Sequence, residues 1–424
     1  MSRTSFYSWP VLWALACISF NATAETAKPP LPETVSLSQL VTIIRNESPK
    51  LAAEKTRVDI AKADVTQAEL LPNPQVAYGR YDLVGGVNTF WEGNQQQLTQ
   101  INIPVLIAGQ RPARREAAAK GVSEAEAEVM NIYSGLFKEA WQLYIKLQAM
   151  QEKQKLMADS EAELDKIKHI ITEWHQAGTA SQYDVSRISV EVANVHSQSQ
   201  QMLADGIDLS GQLGTTLGLP DWKPKAQGEV QPLKVSVDLG KLIDQAESNN
   251  PAVNAARKQE DYASANIKKA ERERWPVPVI NLGNTWTNNP YGMAFYAGVS
   301  VDVPLFDWGQ RTVSKAEAEK RTATYERQAL AASIRAELQR SAKVLNKNKD
   351  NLEDFEKNVI TQLPELETMA TDAYQFGKAS ILELLDANRT RIELGIRRIE
   401  LIESVALSEI DTLAAAGFLD EMAH

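Results

Sequence analysis

Residues 103–111 read IPVLIAGQR, and residues 303–311 read VPLFDWGQR. Pro104 stands over Pro304, Gly109 over Gly309, Gln110 over Gln310 and Arg111 over Arg311, each pair 200 residues apart. Proline cannot donate to a sheet ladder, and glycine takes turns that other residues resist. Each stretch therefore reads as an extended segment handing over to a helix. That the handover occurs twice at one spacing makes a duplicated chain the first expectation for the fold.

Outward from these anchors the two halves keep step. LLPNPQVAYG (70–79) lies over RWPVPVINLG (274–283), with Pro72 and Pro74 over Pro276 and Pro278. LSQLVTIIRNESPKLAA (37–53) lies over LGKLIDQAESNNPAVNAA (239–256), with Pro49 over Pro251. Ala177-Gly178-Thr179-Ala180-Ser181 and Phe376-Gly377-Lys378-Ala379-Ser380 form two helix–turn–helix tips 199 residues apart. The expected organisation is a first repeat at 37–217 (hairpin 74–106, tip 176–182), a proline-bearing linker at 218–238, a second repeat at 239–418 (hairpin 277–305, tip 375–381) and a short tail at 419–424. Each repeat reads as helix, β-hairpin, long helix, tip and shorter helix. Helix is expected over 37–71, strands over 75–81 and 96–106, a helix from Gly109 to about His175 and another over 182–217. At 1.5 Å per residue the long helix would run roughly 100 Å. Pro364 is expected to kink or interrupt its counterpart in the second repeat.

The N-terminus, MSRTSFYSWPVLWALACISFNATAE, has Arg3, an apolar run and Ala22-Thr23-Ala24, which reads as a signal peptide over 1–24 with the mature chain starting at Glu25. Cys17 in WALAC is an alternative lipid-attachment site. Residues 25–36 are proline-rich and read as extended. No later stretch approaches the roughly 20 apolar residues of a spanning helix. The chain carries 45 Lys+Arg against 55 Asp+Glu, net −10, which argues against a nucleic-acid partner. One cysteine and four histidines exclude a disulfide framework and leave little for a metal centre or acid–base chemistry. His169 and Glu173 share a helix face, as a zinc pair or, more simply, as a solvated ion pair. GTTLGLP (214–220) lacks the spacing and lysine of a phosphate loop. No cofactor is expected.

In the last strand Met293, Phe295, Ala297, Val299, Val301 and Val303 alternate with small or polar residues, Asp302 among them. One apolar and one polar face suit a strand between lipid and water, or a two-sided sheet of a soluble domain. The first hairpin, QQQLTQINIPVL, alternates less cleanly. Four strands cannot close a barrel, and lipid does not tolerate open edges, so several copies would have to pool their strands; three copies give twelve.

In this order, the duplicated layout, the proline-bounded hairpins and the tip motif AYQFGKASILELLDANR (373–389) resemble the TolC-like outer-membrane factor family, from about Leu37 to Phe418. The resemblance implies a mainly α protein with membrane β: a homotrimer with a 12-stranded β-barrel in outer-membrane lipid, continued by a long periplasmic α-helical barrel. It implies a passive efflux duct docking with a periplasmic adaptor and an inner-membrane resistance-nodulation-division pump. It also places Glu383 and Asp386, three apart on one helix face, at the periplasmic aperture, where threefold symmetry would give a cation-favouring acidic ring. A solvated acidic face explains the same pair. Asp184 sits at the matching place of the first tip, with Arg187 where the second tip has Asp386. Gly178, Thr179, Ser181, Gly377, Lys378 and Ser380 would meet the adaptor. Pro104, Gly109, Pro304 and Gly309 would mark the strand-to-helix transitions. GQRPARREAA (109–118) and the short hairpin loops are most similar to the branch serving cobalt–zinc–cadmium pumps. Drug or dye efflux and type I secretion are alternatives, and a soluble periplasmic scaffold is a further one. An enzyme finds no acid–base pair to rest on.

Overall fold

The computed structural model describes residues 31–82, 95–233, 242, 246, 248–288 and 292–419. The expected signal peptide, Cys17, the loop of the first hairpin, the end of the linker and the tail beyond Leu419 lie outside the described residues.

Helix α1 (Leu37–Glu47) starts on a capping box: Gln39 N donates to Ser36 Oγ over 3.3 Å and Ser36 N donates to Gln39 Oε1 over 2.9 Å. The helix expected over 37–71 is in fact two. It breaks at Ser48, whose extended backbone precedes Pro49, the first residue of α2 (Pro49–Glu69). Proline disfavours helical backbone in the residue before it while suiting the first helical position itself. Pro72 and Pro74 then keep the chain extended into β2 (Gln75–Asp82), which pairs antiparallel with β3 (Gln95–Pro104). A 67-residue helix, α3 (Gln110–Gln176), follows, then α4 (Gln182–Leu217). The second half repeats the plan with α5 (Pro251–Glu273), β5 (Val279–Thr287), β6 (Gly292–Ser300), α6 (Gln310–Asn358), α7 (Leu363–Gln375) and α8 (Ile381–Ala416). Here the long helix is interrupted. It ends at Asn358, a 3-10 turn spans Ile360–Gln362, and Pro364 lies in the first turn of α7.

The hairpins join into one antiparallel sheet of order β2-β3-β5-β6. Each strand is continuous with a helix, and the helices pack in the same order: α2 on α3, α3 on α5, α5 on α6. Sheet and helical layer are thus one wall in two secondary structures. Among the described residues β2 and β6 have no partner on their outer sides.

Small side chains hold the upper helices together. Ala113, Ala117 and Ala127 of α3 and Ala263, Ala265 and Ala270 of α5 are buried where bulkier residues would separate the axes. Midway along α3 the core turns aromatic. Tyr133, Phe137 and Trp141 stack at 6.2 and 5.2 Å, and Arg45 of α1 lies over the Tyr133 ring. Here too the helix ends lock. Ser48 Oγ donates to Leu217 O at the end of α4 over 3.0 Å, and Asn250 Nδ2 donates to Ala415 O at the end of α8 over 3.1 Å. The chain after α4 crosses α3 as a strap. β1 (Thr34–Val35) pairs with β4 (Lys225–Ala226), and Tyr144 Oη and Gln148 Nε2 both donate to Gln227 O over 2.7 Å. The Glu152 and Glu409 carboxylates accept from Val230 N and Leu233 N.

Candidate functional site

The sheet's register sorts its residues onto two faces. Phe295 lies opposite Asn284, Asn284 opposite Thr99, and Thr99 opposite Tyr78. This face carries Val76, Ile101, Ile103, Ile280, Leu282, Trp286, Met293 and Val299, with Phe295 79% and Val299 72% exposed. Its charges, Arg80 and Asp82, lie 2.9 Å apart at the end near the loop. The opposite face carries Gln96, Gln100, Asn102, Asn281, Thr285, Ser300 and small residues, together with Tyr81, Leu98, Val279 and Tyr296, and no charged side chain among the strand residues. Tyr296 lies flat across Gly283 to donate to Gln100 Oε1 over 2.7 Å. A Cβ on Gly283 would stand 2.8 Å from that ring and 2.5 Å from Thr99 O. An apolar face exposed on one side and an amide-and-hydroxyl face on the other is the division that lipid outside and water inside require.

At the transitions, Gly109 (φ 76°) and Gly309 (φ 81°) take left-handed backbone as the N-caps of α3 and α6. Pro104 closes β3, but β6 stops at Ser300, so Pro304 and Asp302 lie past the pairing they were expected to bound. Sequence reasoning missed the role of the repeated glutamine. Gln110 Oε1 accepts from Ala108 N, and Gln310 Oε1 accepts from Trp308 N, both over 2.9 Å. Gln110 is buried. The signal was its identity in both halves.

The tips match atom for atom. Thr179 N and Ala180 N donate to Trp174 O, and Lys378 N and Ala379 N donate to Ala373 O. Gly178 (φ 78°) and Gly377 (φ 67°) make the turn, with open space where a Cβ would be, so backbone conformation alone calls for glycine. Ser181 and Ser380 then cap α4 and α8 in capping boxes whose third members are Asp184 and Glu383. Asp184 Oδ2 accepts from Ser181 N over 3.0 Å, and Glu383 Oε2 accepts from Ser380 N over 2.7 Å. Both carboxylates thus hold helix starts. Asp386 is exposed one turn further on; the hydrogen-bonded Glu191 carboxylate, and after it the Asp386 charge, raise the Arg389 guanidinium. Arg187, at the matching place of the first tip, is half-buried, with its Nε buried and without a hydrogen-bond partner.

Spacing did not reveal the ion pairs between the repeats. Arg389 of α8 grips the Glu191 carboxylate of α4 with two hydrogen bonds, Nε–Oε1 at 2.7 Å. The Glu191 side chain is 3% exposed. Beside them Ile171, Ile188, Ile381, Leu384 and Leu385 form one apolar cluster, and Trp174 meets Tyr374 at 5.9 Å. His169 and Glu173 stand 3.4 Å apart on an exposed face, and no group of three or more metal-ligating side chains occurs among the described residues.

One carboxylate higher up is out of its element. Glu124 lines a groove under Tyr262 with Glu128 and Arg57, and burial, then the Glu128 charge, hold its carboxyl above the usual carboxylate range. A folded pKa above the unfolded value means ionisation costs stability at neutral pH, a cost that vanishes as the pH falls through the folded pKa. Glu124→Gln is therefore expected to stabilise the protein at pH 7 by about 0.5 kcal/mol, screened by solvent contact, with the gain gone near pH 4. Thermal melts across that range check it, and a gain at pH 4 equal to that at pH 7 would refute it.

Comparison with known proteins agrees with this geometry. Residues 242–393 match the model of the outer membrane efflux protein family. The chain is 23% identical over 366 residues to the cobalt-zinc-cadmium resistance protein CzcC of Cupriavidus metallidurans, covering 86% of this chain and 85% of that one. Among solved structures, the outer membrane protein VceC of Vibrio cholerae superposes with a TM-score of 0.70 at 16% identity, over 90% of this chain and 96% of the other. CusC superposes with a TM-score of 0.73 at 16% identity, over 90% and 92%. An efflux-family match over residues 242–393, a relative similar along most of the chain and a wall built of strand and helix in the same order make this chain similar to the outer membrane efflux proteins.

Proposed function

We propose that this channel is the exit duct of a tripartite efflux system and that its cargo is divalent heavy-metal cations. The observation that carries the cargo is the similarity, along 86% of the chain, to a protein named for cobalt, zinc and cadmium resistance. Three copies would pool their four strands each into a closed twelve-stranded barrel and so remove the open edges at β2 and β6. The tips, around Gly178, Thr179, Ser181, Gly377, Lys378 and Ser380, would receive a periplasmic adaptor, with a resistance-nodulation-division pump of the inner membrane supplying the energy.

The electrostatics support a conduit that sorts cargo at one end. The polar strand face has amides and hydroxyls but no charge, so it would pass hydrated ions of either sign. Asp184, Glu383 and Asp386 put carboxylates at the tips, and in a trimer these would ring the narrow end and favour cations. Glu383 and Asp184 accept the cap hydrogen bonds at these same tips, so the two roles are compatible. No bond is made or broken in this mechanism.

The test is cellular. A strain without the protein, challenged with sublethal zinc, cobalt or cadmium, is expected to accumulate severalfold more cell-associated metal than its complemented parent, with dye and detergent tolerance unchanged. Unchanged metal with new dye sensitivity would leave the channel and overturn the cargo.

A further inference from the structure

Where the wall changes from strand to helix, a groove of about 680 Å³ opens between the first turns of α3 and the last turn of α5. It is lined by Ile107, Pro112, Lys268, Glu271, Arg272 and Trp275, among others. We propose that this groove binds the headgroup of a zwitterionic phospholipid, a phosphate joined to a primary ammonium, from the leaflet that surrounds the periplasmic end of the sheet.

Continuity with the lipid-facing sheet supports the first part. Pairing runs one step past β3, since Val105 N donates to Pro278 O over 2.8 Å. The strand alternation therefore carries on from Ile101 and Ile103 through Val105 towards Ile107, and puts the mouth of the groove in line with the apolar face. Ile107 is 67% and Trp275 54% exposed. Around the same level Leu70, Leu71, Leu305, Phe306 and Trp308 are also exposed. A belt of exposed tryptophan and aliphatic side chains where an apolar sheet meets a charged helical layer marks the membrane–water boundary. This rests on the outer-membrane assignment, not on the cargo.

Charge decides the headgroup. Lys268 is held by Glu116, Nζ to Oε1 at 2.7 Å, which leaves that pair neutral. Glu271 and Arg272, adjacent in the last turn of α5, form no ion pair among the described residues. They offer one cation to a phosphate and one anion to an ammonium, with Trp275 beneath for the glycerol and first methylenes. A groove with equal charge of both signs gains nothing from a lipid that is only anionic, so the match is to the zwitterion.

The experiment uses the full chain purified from membranes in mild detergent, with phosphatidylethanolamine and phosphatidylglycerol offered in mixed micelles and bound lipid counted by native mass spectrometry. The wild type is expected to hold about one phosphatidylethanolamine per chain and to prefer it at least fivefold over phosphatidylglycerol. Glu271→Gln with Arg272→Gln is expected to lose at least fivefold in retention, while Asn266→Ala, on the neighbouring groove between α2, α3 and α5, keeps it. Equal binding of the two lipids by the wild type would overturn the proposal, without recourse to any variant. Undiminished retention in the folded double variant would overturn it too, because the lipid would then be held by the sheet alone.

Discussion

Gly417→Ala is expected to destabilise this chain severely, because it combines a left-handed backbone with a backbone clash. Gly417 ends α8 at φ 82°, where any side chain is strained, and donates its N–H back to Ala414 O over 3.1 Å. A Cβ there would lie 2.7 Å from Asn249 C and Asn250 N, which are backbone atoms that cannot swing aside. Asn250 is no idle neighbour: its Oδ1 accepts from Ala252 N to cap α5, and its Nδ2 donates to the last carbonyls of α8. The added methyl must therefore part the junction on which the second repeat's helices abut. Left-handed strain and overpacking together cost roughly 3–5 kcal/mol. The first repeat supplies its own control. Gly218 ends α4 at φ 79°, but a Cβ there meets Pro49 Cδ at 3.1 Å, a contact a small shift relieves. Thermal unfolding of both variants should show Gly417→Ala melting well below Gly218→Ala. Equal losses would mean that the strained backbone alone matters and that the junction yields.

Most of this fold was legible because the duplication made each weak signal a pair. One proline followed by glycine is an ordinary turn; two, 200 residues apart, located both strand-to-helix transitions, and the glycines there do take left-handed backbone. The strand alternation is clean in β6, and the register lines up its apolar side with Val76, Ile101, Ile103, Ile280 and Leu282 of the other strands, although Arg80, Asp82, Gln95, Gln97 and Thr99 share that side. The misses have local causes. Pro49 was used only to align the halves, although a proline is as good a helix start as a helix stop. Pro304 was given a boundary that β6 reaches four residues earlier, because nothing in the alternation through Val301 and Val303 says where a ladder loses its partner. The capping role of Glu383 went unread beside its place on one helix face with Asp386, although the serine three residues before it is the capping-box spacing. The tie between Glu191 and Arg389 could not be read at all: its members are 198 residues apart on helices whose lateral order only the folded wall supplies.

That tie carries the second large effect. Arg389→Ala is expected to leave the Glu191 carboxylate, 3% exposed, against Ile188, Ile381 and their neighbours without a counter-charge. Removing one member of a buried pair costs about 3 kcal/mol here, the low end of the usual range because the guanidinium itself is 44% exposed. The damage falls where the two repeats meet just above the tips, so the tips should part before the rest of the wall unfolds. Limited proteolysis at residues 176–182 and 375–381 is expected to quicken at least tenfold, with little change in the thermal melt of the upper helices. Within the proposed duct the same variant should pass more current in planar bilayers, since the narrow end would no longer be held by this bond. Replacing both partners, as Glu191→Leu with Arg389→Leu, removes the stranded charge and fills the site with apolar volume, which restores most of the stability. A double variant as labile as the single one would show that the pair adds attraction beyond its own desolvation. A single variant with wild-type proteolysis would show that the apolar cluster alone keeps the tips together.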